Sequence, residues 1–140
     1  MSATDESHSF DKLISEMTFD FFGSGQHKIS ADKLFSQPEG ILLDIRSKEE
    51  VETLALPLAN DITVLHIPTD EIPDRLGEIP TDQQIAIFCS AGIRAAIIYA
   101  YLRVKNYTQV RILVGGLEDL AKHAKPGSLW KRLQARGQSS

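Results

Sequence analysis

Cys89 is the one cysteine in 140 residues, and a glycine follows it three positions on and an arginine five on, in the order Cys89-Ser90-Ala91-Gly92-Ile93-Arg94. A thiol attacks only as its thiolate. Free cysteine ionises near pH 8.5, and helix N-termini or nearby cations can lower that value to roughly 3.5–7.5. A two-unit drop requires about 2.7 kcal/mol of differential stabilisation, whereas a helix terminus gives an exposed charge typically about 0.3–1 kcal/mol. The dipole alone is too small. Unpaired amides of a loop that Gly92 lets curl closely, with the charge of Arg94, must supply the rest, and the same groups would hold an anionic substrate. Cys89 is therefore the candidate nucleophile, with Ser90, Ala91, Gly92, Ile93 and Arg94 as its substrate cradle. The competing reading is an inert buried cysteine, a common core residue type.

A second polar pair, Asp44 and Arg46, closes the apolar run Ile41-Leu42-Leu43. Parallel sheets gather their ligands outside the carboxyl ends of the strands, so Asp44 and Arg46 are candidates for the rim of the same site. The alternative is an ion pair that fixes the turn.

Both constellations need a strand before them and a helix after. Ile85-Ala86-Ile87-Phe88 has the composition of a strand buried on both faces, and a helical apolar pattern resumes after Arg94 as far as Tyr101. After Asp44-Ile45-Arg46, Ser47-Lys48-Glu49-Glu50 matches a capping box, with Ser47 as cap and Glu50 three residues later. A further strand is predicted over 61–67 from its β-branched content, with others over 110–114 and, as a short strand, 27–30. Ser30 is set to cap a helix over 31–36, stopped by Pro38 and Gly40. Pro68-Thr69-Asp70-Glu71 opens a helical turn with Thr69 as cap, kept short by Pro73 and Pro80. His66, inside its strand, reads as a satisfied core or rim histidine. Gly115-Gly116 turns into a helix over 117–123, and Ser128, past the break at Pro126-Gly127, is set to cap a last basic helix in which Trp130 is a core or docking residue. Repetition of β-α about five times predicts an α/β fold: a central parallel five-stranded sheet with helices on both faces, joined by right-handed crossovers.

Residues 1–9 lack periodicity and are expected to be disordered. Phe10, Leu13, Ile14 and Met17 then recur at helical spacing ahead of Phe19, Phe21 and Phe22 and the breaker Gly23-Ser24-Gly25. This docking helix either packs on the domain's own core or recruits a partner. The expected organisation is an N-terminal extension with an amphipathic helix over 1–26, one domain over 27–125, and a basic C-terminal helix and tail over 126–140.

Composition narrows the class. At 15.5 kDa and 42% hydrophobic residues the chain holds one good core. A formal charge of -4 argues against a general nucleic-acid binder. From Arg103 onward about eight Lys and Arg face two acids, a basic half that reads as solvated helix faces or a polar surface for partners. A lone cysteine excludes an intramolecular disulfide and multi-cysteine zinc sites and fits a reducing compartment. The four histidines lack metal-ligand spacing, so neither metal nor other cofactor is implied. The acidic start is unlike a signal peptide, and an apolar run of about eight residues after Arg94 is too short to span a bilayer. The expectation is a soluble cytoplasmic protein without membrane contact; the oligomeric state stays open.

Three segments in order, LLDIRSKEEV from Leu42, IAIFCSAGIRAA from Ile85 and VRILVGGLEDL from Val110, make the chain resemble the single-domain rhodanese family of sulfurtransferases from about His27 to His123. In that family a DxR turn precedes an acidic and an apolar or aromatic residue, here Glu50-Val51, and the cysteine loop reads CxxGxR. The sequence departs at Leu54-Ala55-Leu56-Pro57-Leu58-Ala59, where the family commonly has a GHIPGA-like segment. It departs again at Ser90 and Ala95, where many members carry arginine and a hydroxyl residue, and at Leu120, which stands in a tryptophan position.

The resemblance implies that Cys89 takes a sulfane sulfur from a small anionic or persulfide donor, thiosulfate for example, and becomes a persulfide. A thiol, cyanide or protein acceptor then removes that sulfur. It implies that the amides of residues 90–94 stabilise anionic forms and that Arg94 binds the donor's oxyanion. Two other classes compete: a non-catalytic interaction or regulatory module on the same fold, and a cysteine-dependent phosphatase or arsenate reductase. The latter use a loop one residue longer, whose closing position here is Ala95.

Overall fold

Two tetrapeptides form the centre of the sheet. In Ile41–Asp44 (β2) and Ile85–Phe88 (β4) every position is buried, as expected of strands with a neighbour on each side and helices over each face. The computed structural model describes residues 3–37, 39–56 and 62–137. Around the central pair lie Lys28–Ile29 (β1), Thr63–His66 (β3) and Val110–Leu113 (β5). All pairings are parallel and the order is β1-β5-β4-β2-β3, with Leu43 opposite Leu65 on one side and Ile87 on the other. This is the predicted five-stranded parallel sheet.

Successive strand residues point to opposite faces, and the core divides accordingly. On one face Leu43 and Ile87 pack with Ile98 and Leu102 of α5 (Ile93–Val104); on the other Leu42 and Ala86 pack with Leu34 of α3 (Ala31–Phe35) and Leu120 of α6 (Gly116–Lys122). Helices therefore cover both faces. The leucine at position 120 is fully buried in the second of these clusters.

Local signals set several boundaries. Ser30 accepts from the Lys33 amide at 3.1 Å to start α3. Ser47 and Glu50 form both bonds of the capping box that opens α4 (Lys48–Thr53). Thr69, by contrast, caps nothing: its hydroxyl donates to the Ile45 carbonyl at 2.8 Å and ties the chain beyond β3 back to the β2 turn. From Thr69 the short helical segment takes the form of 3-10 turns over Thr69–Glu71 and Pro73–Glu78, the second opened by Pro73.

The termini correct two further expectations. A helix, α1 (Ala3–Ser15), occupies most of the segment expected to be disordered. It packs along α5, Leu13 is buried, and Glu16 meets Arg103 at 3.0 Å. Once those contacts hold its C-terminal turns, each further turn toward the N-terminus adds hydrogen bonds without a new nucleation cost. A short α2 (Phe19–Gly23) then buries Phe21 while Phe19 and Phe22 stay exposed. At the other end α7 (Pro126–Gly137) begins at Pro126 and contains Ser128, since proline's fixed φ suits a first helical position. Basic residues dock it: Arg132 lies 4.6 Å over the Phe35 ring and donates to the His123 carbonyl, and Arg136 donates to the Phe35 carbonyl. Trp130 remains exposed. The predicted stop at Pro38, the Pro57-Leu58-Ala59 part of the departing segment, Asp61 and the tail residues 138–140 lie outside the described residues. Among the described residues no helix is long and apolar enough to cross a membrane.

Candidate active site

Cys89 follows the last residue of β4 and is 8% exposed. Gly92 adopts φ +83, the left-handed region that L side chains rarely enter, and thereby turns the chain into α5. The curl brings two backbone amides onto the sulfur: Gly92 N–H donates to Cys89 Sγ at 3.0 Å and Ala95 N–H at 3.3 Å. Position 95 thus contributes a donor through its backbone, although its side chain has no hydroxyl. Ser90, Ala91 and Ile93 are exposed around the sulfur, Ile93 at 72%.

Arg94 does not stand free over the loop. Its guanidinium forks onto Glu50 of α4, Nη1 to Oε1 at 2.7 Å and Nη2 to Oε2 at 3.0 Å. Ser90 Oγ donates to Oε2 at 2.8 Å, and the Ser47 amide donates to Oε1 at 2.9 Å. The Arg94 fork, followed by the Ser47 amide and the Ser90 hydroxyl, holds the Glu50 carboxyl well below the usual carboxylate range, and Glu50 in turn raises Arg94. One carboxylate therefore clamps both ends of the cysteine loop to α4. The sequence identified Glu50 only as half of a capping box and as the acid after the DxR turn; the turn between β2 and α4 lets it serve the loop as well.

Asp44 and Arg46, the candidates for the rim, take the other reading, an ion pair that fixes the turn: they are bonded to each other and buried, 2% and 3% exposed. Arg46 Nη2 donates to Asp44 Oδ2 at 3.0 Å and Nε to Oδ1 at 3.1 Å, while Nη1 reaches the Leu54 carbonyl at 2.7 Å. Its guanidinium lies 5.4 Å from the centre of the Phe88 ring, one residue before Cys89. The pair braces the β2 turn under the loop. His66 Nε2 donates to the Arg46 carbonyl at 2.8 Å, a satisfied histidine rather than a ligand. Among the described residues no three His, Cys, Asp or Glu gather as a metal would require.

Residues 29–123 match the Rhodanese-like domain family. A sulfurtransferase of Allochromatium vinosum is 33% identical over 96 residues, which cover 69% of this chain and 85% of that protein. A rhodanese-related protein of Thermoplasma volcanium shares the fold with TM-score 0.54 at 19% identity, over 71% of this chain and 95% of that one. A NAD-dependent persulfide reductase of A. fulgidus matches with TM-score 0.53 and 28% identity over 75% of this chain, but this chain spans only 18% of that protein. With its parallel sheet in the order 1-5-4-2-3, a cysteine at the end of β4 and a family match over most of its length, the chain belongs to the rhodanese-like domain family.

Proposed function

We propose that the protein is a sulfurtransferase that carries sulfane sulfur as a persulfide on Cys89. The observation behind this reading is the sulfur itself, held at the focus of the Gly92 and Ala95 amides in a six-residue loop. Cys89 thiolate attacks the outer sulfur of the donor; the new S–S bond forms as the donor's S–S bond breaks and its inner sulfur leaves with the electron pair, as sulfite from thiosulfate or as a thiolate from a persulfide. A thiophilic acceptor, a thiol or cyanide, then attacks the outer sulfur and returns Cys89 to its thiolate. The amides bonded to Sγ stabilise negative charge on it, and the exposed stretch from Ser90 to Ile93 receives the donor.

Of the two donors a persulfide suits the site better. Arg94, the one cation of the loop, has its charge offset by Glu50, and exposed Ile93 offers apolar contact to a thiol carrier rather than a hydrogen bond to a sulfonate oxygen. Intact-mass analysis tests both parts. Glutathione persulfide should add about 32 Da, one sulfur atom on the nucleophile, and the gain should vanish in Cys89→Ala. Thiosulfate should load the protein about tenfold more slowly, the worth of one missing charge-assisted contact. Failure of both donors to add sulfur would overturn the reading in favour of a binding module, and Cys89-dependent hydrolysis of an aryl phosphate would favour the phosphatase class.

A further inference from the structure

Beside the edge strand β1 an open cleft of about 650 Å³ lies among the Ser24-Gly25 turn, β1, α3 and Arg111 of β5. Its walls carry Lys28, Lys33 and Arg111 and neither aspartate nor glutamate, although the chain as a whole has 19 acids against 15 Lys and Arg. A cleft lined by one sign of charge focuses its field and raises the local concentration of the opposite ion. Among the described residues none of the three cations has a carboxylate partner. Both lysines are exposed. Arg111 donates from Nη1 to the carbonyls of Gly25 at 2.9 Å and Lys28 at 3.1 Å, which anchors the guanidinium and leaves its charge unbalanced.

A neighbouring group registers the same field. His27 is pushed below its usual ionisation range by burial first and then by Lys28 and Arg111, and its Nδ1 is buried without a partner. Gln37 adds an amide to the cleft, and Ile29 and Val114 add an apolar wall. No wall residue belongs to the cysteine loop or to α4, so a ligand bound here is separate from sulfur transfer at Cys89.

We propose that this cleft binds a diphosphate group. Its three cations match a nucleoside diphosphate, whose terminal phosphate carries about -1.5 to -2 and whose inner one adds about -1. Free pyrophosphate shares that chemistry, and the two sources separate by affinity.

Calorimetric titration of the full-length protein with ADP, AMP, pyrophosphate and sulfate, each at low and high salt, tests the proposal. Saturable, salt-sensitive binding of ADP or pyrophosphate, tighter than that of AMP or sulfate, is expected. ADP binding more tightly than pyrophosphate assigns the site to a nucleotide, and the reverse order assigns it to the free anion. Lys28→Ala with Lys33→Ala should weaken binding about tenfold, the effect of two partly exposed charge contacts, with an unchanged circular dichroism spectrum. Cys89→Ala should bind as the parent does. No saturable binding at millimolar ligand, unchanged affinity in the double variant, loss of affinity in Cys89→Ala, or binding of a short RNA without binding of ADP or pyrophosphate would each overturn the proposal.

Discussion

At the scale of single residues the site turns on Glu50 as much as on Cys89. Its carboxylate accepts from Arg94, Ser90 and the Ser47 amide, so it orients the loop and offsets the loop's cation at once. Glu50→Gln keeps the shape and removes the charge. Stability should fall by about 1 kcal/mol, an amount discounted for a pair one-third open to solvent. At the same time kcat/KM for thiosulfate should rise relative to that for glutathione persulfide, because Arg94 regains an unbalanced charge. An unchanged donor ratio would show that the donor does not sense Arg94. Cysteine, glycine and arginine were legible from their spacing; the partner of that arginine was not, because it lies 44 residues away in sequence and only the pairing of β2 with β4 brings the two loops together.

At the scale of elements, the turn from β2 into α4 supports the turn from β4 into α5. The Asp44–Arg46 pair is buried and multiply bonded, so Asp44→Ala leaves a guanidinium uncompensated and should cost about 3–5 kcal/mol. Chemical denaturation measures that loss, and a small effect would mean that water reaches Arg46. Ser47→Ala removes the α4 cap for about 1 kcal/mol. It should also slow sulfur loading, since Glu50 loses its anchored helix end. The N-terminal helix offers a separate check: Leu13 is buried against the α5 side of the core, and Leu13→Ala should lower stability by about 2–3 kcal/mol while leaving persulfide formation on Cys89 intact.

Over the whole molecule His27 and Glu50 both make the fold weaker in acid. His27 has its folded-state value lowered by burial and by its cationic neighbours, so it contributes stability that is complete above the unfolded value of about 6.5 and is lost as pH falls below it. Glu50, also lowered in the fold, contributes above the unfolded value of about 4.3 and weakens only in stronger acid. Thermal melts between pH 7.5 and 5 should therefore show a falling midpoint that His27→Phe flattens. An equal slope in that variant would remove His27 as the source.

From sequence alone came the α/β class, the five strands, the Ser30 and Ser47 caps and the glycine turn of the cysteine loop. These rest on local signals: two runs buried on both faces, cap residues within three positions of their partners, and a glycine where the backbone must turn left-handed. The tertiary structure alone decided which way charged side chains pair. Asp44 and Arg46 withdrew into a buried brace, Arg94 turned to Glu50, and Lys28, Lys33 and Arg111 gathered in a cleft without a carboxylate. Spacing along the chain governs hydrogen bonds a few residues apart, whereas an ion pair or a cationic cleft depends on which strands become neighbours, and that is settled only when the sheet assembles.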